Sequence, residues 1–444
     1  MDLKKVIFKI KNKLASVNNF IMERSANAKN EIAKSLIAVM GLKETIKSKF
    51  ASANSLIVST NFNIKNKVIN PAMFYIKNYI YWIIVGKELK TKEPSEIFKD
   101  AYFIHAYKIR KETEIYGGGL NTSSNLTVEA LRHYGFKAES VGFNDDNELD
   151  AVLFKERPSH LIVKAFWVRK EKLELLAKKY PSCKFIIVCH SKASFLANEN
   201  NGFSKLNDVI DLSKKLKNVS LATNNYDMSS ACSKVYNKDV LFLPNLTIFD
   251  ERKGKPYNFC DKTLRVGIFC AVRPMKNMLN QIMAAIKYCE ENKIGLELHV
   301  LSERMEMGGE KTIKNIRDLF SALDSKNYKL VEHKWYKHKD FLRLIRLMDI
   351  GLQSSFTESF NIVAIDFLRC SIPIVTSPAI SWSPKQWQAN PDDIEDIKNK
   401  IKMWITASNC RKNVLFKKGE NNLKKYNKQA SKVYYNLSKE AKKW

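Results

Sequence analysis

The chain has 444 residues, 45% of them hydrophobic and 27% charged, which excludes a disordered or low-complexity protein and leaves room for two or three domains with sizeable cores. Its 75 Lys and Arg against 46 Asp and Glu give a formal charge of +29, pointing to a polyanionic partner such as nucleic acid or an anionic membrane surface; a composition heavy in Lys, Asn and Ile supplies part of that excess without any partner. The eight cysteines, at 183, 189, 232, 260, 270, 289, 370 and 410, are scattered without a C-x-x-C or a His at metal-ligand spacing, which excludes a zinc ribbon and reads as buried thiols of a reducing cytoplasm.

Residues 1–97 are Lys-rich with spaced aliphatics and few Gly or Pro, the pattern of a basic helical extension. The opening MDLKKVIFKIKNK interleaves charge with apolar residues and has no uninterrupted apolar core, unlike a signal peptide. The most apolar stretch, Val68 to Val85, carries Asn70, Pro71, Lys77 and Asn78, so it predicts a buried or interfacial helix rather than a membrane span.

From 98 to 246 short apolar runs alternate with helical patterns: AYFIHAY, a helix after Gly117, Gly118 and Gly119, then HLIVKAFWV, KFIIVCHS and NVSLATN. His190 falls at the end of the KFIIVC strand, where a lone His is more often a capped structural residue than a ligand-facing one. Asp145 and Asp146, in FNDDNELD, imitate a metal-binding D-x-D but read as a surface turn. Residues 247–262, with charge and Pro256, form the linker. A second alternating block follows over 263–395: RVGIFCAV, a helix from about 278 to 292, LELHVL, a helix from about 310 to 323, KLVEHKW and LMDIGLQ. Residues 396–444 close the chain as a basic helical tail. Strands alternating with helices twice over predict an α/β chain of two Rossmann-like, doubly wound parallel-sheet domains.

The segment SSFTESFNIVAIDFLRCSIPIVTS, residues 354–377, follows the LMDIGLQ strand as turn, helix and strand. At the carboxyl end of a parallel strand such a loop is where ligands bind, and the amides of the next helix favour an anion. Glu358 and Asp366 are eight residues apart, close to one helical face, so two acceptor-only carboxylates face one crevice and suit vicinal hydroxyls. An ordinary amphipathic helix with two solvated acids fits these residues equally.

Together with IFCAVRPMKN, this order of motifs resembles the GT-B glycosyltransferases, specifically the large retaining clan (glycosyltransferase group 1) that includes glycogen synthases and phage or virus-like members. The resemblance spans about 98–390. It implies two domains facing across a cleft and a nucleotide-diphosphate sugar, such as a UDP-sugar, as donor, with no prosthetic group and no metal. It further implies that Gly118 and Gly119 let backbone amides approach the diphosphate, and that His190 reaches the reacting sugar or leaving phosphate. Arg273 and Lys276, followed by Asn277, hold the two phosphates; Glu358 contacts the donor sugar; Asp366 pairs with the ribose. The Ser359, Phe360 and Asn361 amides cover phosphate and sugar, and Trp335 and Tyr336 frame the nucleobase, although core packing suits Trp335 as well. Three positions depart from the clan's pattern: Asp366 replaces Glu, while Asn361 and Ser371 replace Gly. The spacing of Arg273 and Lys276 is also shorter than the commoner form.

The mechanism implied is transfer with retention: cations stabilise the charge growing on the leaving diphosphate, which takes the proton of the incoming hydroxyl. For the acceptor, the basic flanks favour a hydroxymethylated base in phage-type DNA, flipped out of the duplex. A lipid-linked or surface glycan reached from an anionic membrane is the second reading. A catalytically inactive GT-B binding module is the third.

Overall fold

The structure is a computed structural model and describes residues 101–109, 119–199, 201–249, 259 and 261–441. The expected basic extension over 1–97, the apolar stretch 68–85, Gly118 and most of the linker 247–262 lie outside the described residues.

The first domain is built on six parallel strands, β1 (Tyr102–Lys108), β2 (Lys137–Phe143), β3 (His160–Lys164), β4 (Lys184–Cys189), β5 (Val219–Thr223) and β6 (Leu241–Phe242), in the order β2-β1-β3-β4-β5-β6. Helices α1 (Gly119–His133), α2 (Glu148–Glu156), α3 (Lys170–Lys179), the short α4 (Ala193–Leu196), α5 (Gly202–Lys215) and α6 (Tyr226–Tyr236) connect them. β3 and β4, HLIVK and KFIIVC, are almost wholly buried. A strand covered on both faces needs such a continuous apolar run.

The second domain has five parallel strands, β7 (Thr263–Ile268), β8 (Gly295–Leu301), β9 (Tyr328–His333), β10 (Ile350–Gln353) and β11 (Ile374–Thr376), in the order β11-β10-β7-β8-β9. Its helices are α7 (Met278–Asn292), α8 (Gly309–Ser321), α9 (His338–Ile345), α10 (Ile362–Cys370) and α11 (Ile394–Ile405). Each sheet reverses its strand order once, beside β1 in the first and beside β7 in the second. The loops leaving the carboxyl ends of the strands at such a reversal splay apart and leave a crevice.

The basic tail expected after 396 is not an appendage. The final helix α12 (Asn409–Lys439) is 31 residues long, roughly 46 Å at 1.5 Å per residue. Leu415, Phe416 and Leu423 from its first half join the core of the second domain, while Ala430, Tyr434 and Leu437 from its second half join the core of the first. Between them Asn427 donates to Thr247 O at 2.6 Å. Most lysines of α12 therefore lie on the outer face of a strap whose apolar face is shared by both domains, while Lys412 is buried in it.

Asp146 also departs from the surface turn expected for it. It is buried and accepts from the Arg169 guanidinium, through Nη2 at 2.6 Å and Nε at 2.9 Å, and from the Arg169 amide at 3.0 Å. The pair ties the loop after β2 to the start of α3. Of the seven described cysteines six are buried as expected and Cys410 is exposed.

The strap is sensitive to one position. A Cβ on Gly419 of α12 would stand 2.1 Å from the Trp387 ring, which is fully buried. Alanine's better helix propensity gains about 0.5–1 kcal/mol, but overpacking of a fixed indole costs about 1–3 kcal/mol. Gly419→Ala is therefore expected to lower the melting temperature by a few degrees with unchanged far-UV circular dichroism. An unchanged or higher Tm would contradict this packing.

Candidate functional site

The two sets of splayed loops meet in a cleft of about 900 Å³. From the second sheet come the loop after β7, with Arg273 and Lys276, and the loop after β10, with Glu358, Ser359, Phe360 and Asn361. His190, just beyond β4, stands on the opposite wall with Gly119 and Ser123 of α1.

Glu358 is the hub. Its Oε1 accepts from Lys276 Nζ in a short ion pair, from Asn361 Nδ2 at 3.0 Å and from Ser355 Oγ at 3.3 Å. Burial pushes this carboxyl up, but the charge and hydrogen bond of Lys276, with Arg273 and the Asn361 amide, outweigh it and hold the pKa below the ordinary glutamate value. Lys276 sits at the end of a single 3₁₀ turn, Pro274–Lys276, that Pro274 starts. Glu358 lies ahead of α10 rather than in its first turn, because the helix begins only at Ile362. Its convergence with Asp366 thus comes from the loop, not from helical periodicity.

Arg273 donates from Nη1 to Glu306 Oε2 at 2.8 Å, and Arg304 holds the other oxygen of Glu306. The Arg273 guanidinium also lies over the Phe195 ring at 4.8 Å, across the cleft. Its Nε is buried with no partner. Burial raises the pKa of Glu306 while Arg304 and Arg273 lower it, and the net direction is down. This carboxylate fixes both guanidinium groups.

His190 accepts at Nδ1 from Asn224 Nδ2 at 3.0 Å, and the same amide reaches Ser359 Oγ of the other domain at 3.0 Å. With Nδ1 accepting, the ring proton resides on Nε2, which is buried and unpartnered. Burial first, and the charge of Lys164 second, push this imidazole well below its usual pKa, so it is a neutral N–H donor. Lys192, donating to Ala379 O at 3.1 Å, adds a further link between the domains.

Asp366 reaches the cleft from α10 with its carboxylate engaged. Both oxygens lie 3.0 Å from His338 Nε2, and Arg369 adds a bond of 3.3 Å. The hydrogen bond to Asp366 raises the pKa of His338. Trp335 and Tyr336 are half-buried and line the same end. Arg304 stacks on Trp335 at 5.3 Å, so that indole both packs on the core and walls the cleft. Phe360 contributes backbone only, since its ring is buried and its carbonyl accepts from Trp382 Nε1 at 2.7 Å.

Asn277 requires a correction. Its amide donates to Ser354 O at 2.9 Å and Pro391 O at 2.5 Å, it is buried, and it does not line the cleft. It acts on the architecture, clamping the loop after β10 beneath Lys276. At Gly119 a Cβ would meet no atom of the described residues within 4 Å, so nothing among them demands glycine there. Arg304, Glu306, Asn224 and His338 complete the site without having been singled out in the sequence. SERMEM carries no spacing that marks its Arg and Glu, and Asn224 is visible only as an amide just past a strand end.

No protein-family model matches the chain, and no curated protein matches it. Among solved structures it is similar to the catalytic domain of starch synthase IV from Arabidopsis thaliana bound to ADP and acarbose, at 11% identity and TM-score 0.55 over 76% of this chain and 99% of that one. It is also similar to sucrose-phosphate synthase from Thermosynechococcus elongatus, at 13% identity and TM-score 0.53 over 76% and 99%. A UDP-forming α,α-trehalose-phosphate synthase from Burkholderia vietnamiensis aligns at 10% identity and TM-score 0.52 over 76% and 97%. The two facing Rossmann-like domains are the GT-B fold.

Breaking a buried ion pair from one side costs about 3 kcal/mol or more, and the Lys276–Glu358 side chains are each 10% exposed. Glu358→Gln is thus expected to lower stability by roughly that much at neutral pH. The folded-state pKa is depressed, so the contribution is present above the unfolded value and lost as pH falls through the folded one. In denaturant titrations the gap between wild type and Glu358→Gln should hold at neutral pH and close below pH 4.5, the ordinary glutamate value. Parallel acid limbs for the two proteins would contradict the assignment.

Proposed function

We propose that the chain is a glycosyltransferase that moves a sugar from a nucleotide-diphosphate donor to an acceptor hydroxyl with retention of anomeric configuration. The observation that carries this reading is the gathering of Arg273, Lys276 and Glu358 on one wall of a GT-B cleft, opposite the free N–H of a neutral His190. The named neighbours, one UDP-forming and one bound to ADP, support the donor class.

The chemistry follows from the donor inventory. Cleavage of the bond between the anomeric carbon and the diphosphate oxygen sends its electron pair to that oxygen. Arg273 Nε–H, still unpartnered, and the N–H groups of Lys276 not used by Glu358 meet the developing charge, and donors fixed beforehand lower the barrier without reorganising. The hydrogen bonds of Glu358 fall on Oε1, which leaves Oε2 to accept from a hydroxyl of the donor sugar. His190 Nε2–H donates to a sugar hydroxyl or the leaving phosphate. The acceptor hydroxyl enters on the face the diphosphate leaves and passes its proton to a phosphate oxygen, so no side-chain base is needed. Asp366, held by His338, accepts from the ribose, with Trp335 and Tyr336 beside the base. In this reading the transfer needs no metal.

For the acceptor we propose a hydroxyl on a polyanion, with a flipped-out hydroxymethylated base of DNA first. Lys108 and Lys205 line the wall contributed by the first domain, beside Phe166 and Trp167, and the whole chain carries +29.

Incubation with a panel of nucleotide sugars is expected to give donor hydrolysis or transfer that EDTA leaves unchanged. Arg273→Ala, Lys276→Ala and Glu358→Ala should each reduce turnover about 10²–10³-fold, the range for loss of one transition-state donor. Full turnover in all three would overturn the site. Binding to duplex DNA should weaken steeply with salt, because neutralised phosphates release counterions. A slope near zero, with tight binding to phosphatidylserine vesicles, would move the acceptor to the membrane.

A further inference from the structure

The strand-order reversal of the first sheet, between β1 and β3, holds polar groups that the donor chemistry leaves unused. Lys164 closes β3 and is 1% exposed. Among the described residues no hydrogen bond or ion pair reaches it, and burial alone lowers its pKa, to about 7. Beside it on β1 is His105, which is 0% exposed with both ring nitrogens unpartnered. Burial, then Lys164, then His190 push that imidazole well below its usual pKa. From α1 comes Ser123, buried, with an unpartnered hydroxyl. Ser123 and His190 line the cleft, as does Ala165, the residue after Lys164.

Two features set this cluster apart from ordinary packing. An unpaired ammonium in the interior costs several kcal/mol, and at the same position a methionine would fill similar volume at no such cost. Ala165 has φ +107°, which a residue with a Cβ adopts only under strain, and such strain collects at ligand sites. Buried donors with no acceptor, at the carboxyl ends of parallel strands where ligands bind, are short of one chemical species, an anion. The donor diphosphate is already matched by Arg273 and Lys276 on the other domain.

We propose that Lys164, His105 and Ser123 form an anion seat beneath the first domain's half of the cleft, which takes one phosphate or carboxylate group carried by the acceptor. The anion gives the ammonium its missing counter-charge, while the neutral imidazole and the hydroxyl donate to the remaining lone pairs. The word acceptor rests on the transferase reading; the seat itself rests on the unpaired groups. A sugar phosphate and a flipped nucleotide both bring such a group.

The test is calorimetric titration of wild type and Lys164→Met, a variant that removes a buried charge and so is expected to fold at least as well. The probes are inorganic phosphate, glucose 6-phosphate and 5-hydroxymethyldeoxycytidine 5′-monophosphate, each titrated with UDP already saturating. Wild type is expected to bind phosphate about 10- to 100-fold more tightly than Lys164→Met, the factor for one charge-assisted hydrogen bond. The ¹⁵Nζ signal of Lys164 should titrate at higher pH once phosphate is bound. Tighter Lys164-dependent binding of the sugar phosphate or of the nucleotide than of free phosphate identifies which acceptor uses the seat. Equal phosphate binding by both proteins, or no gain of either acceptor probe over inorganic phosphate, would overturn the proposal. Failure of UDP to bind would instead sink the donor reading, and the comparison of phosphate binding by the two proteins would still decide the seat.

Discussion

The buried pair between Lys276 and Glu358 is the contact on which the candidate site depends. It joins the loop after β7 to the loop after β10, the two loops that diverge at the strand-order reversal of the second sheet. Without the ammonium, desolvation would drive the Glu358 carboxyl toward its neutral form; without the carboxylate, Lys276 would be a buried unmatched charge. Each group holds the other ionised, so a cation and a carboxylate acceptor are both preformed on one wall of the cleft. Glu306 does the same for Arg273, and Asn277 ties down the loop beneath them.

The first domain is organised on the opposite principle. Its polar groups at the corresponding reversal are not matched to one another: among the described residues Lys164 has no counter-ion, and His105, Ser123 and His190 keep side-chain polar atoms unsatisfied. One wall of the cleft is electrostatically closed and the other is open. The links Asn224–Ser359, Lys192–Ala379 and Arg273–Phe195 hold the two walls at working distance, and α12 fastens the domains from behind.

The departures from the clan's glycine pattern have a backbone explanation. Asn361 has φ +63° and Ser371 φ +64°, left-handed positions where glycine carries no Cβ penalty. Asparagine tolerates that region best among the other residues. At 361 it also caps α10, accepting from Ala364 N at 2.8 Å, and donates to Glu358. A side chain is thereby placed on the Glu358 carboxylate where glycine would offer none. Ser371, with ψ 25° against 90° at Asn361, is in the αL conformation at the end of α10 and turns the chain into β11.

The sequence by itself determined the alternation of strands and helices, and with it two parallel sheets, because strands buried on both faces must be continuous apolar runs such as HLIVK and KFIIVC. It also placed Arg273, Lys276 and His190 at or just past strand ends, where Pro, Ser and Asn mark the loops, but set Glu358 on the face of a helix that begins only at Ile362. What only the tertiary structure decided is how those loops meet. Asn277 is adjacent to Lys276 yet faces the interior, and Asp146 in a polar turn is buried against Arg169. Glu306 lies 33 residues beyond Arg273 in the chain and still fixes its guanidinium. Lys164 reads in sequence as the charged end of a strand, which is ordinary at a surface. Its isolation arises because α1 and α12 cover that face of the sheet with apolar residues. Side-chain periodicity fixes which face of an element a residue occupies, but not what the rest of the chain lays over that face.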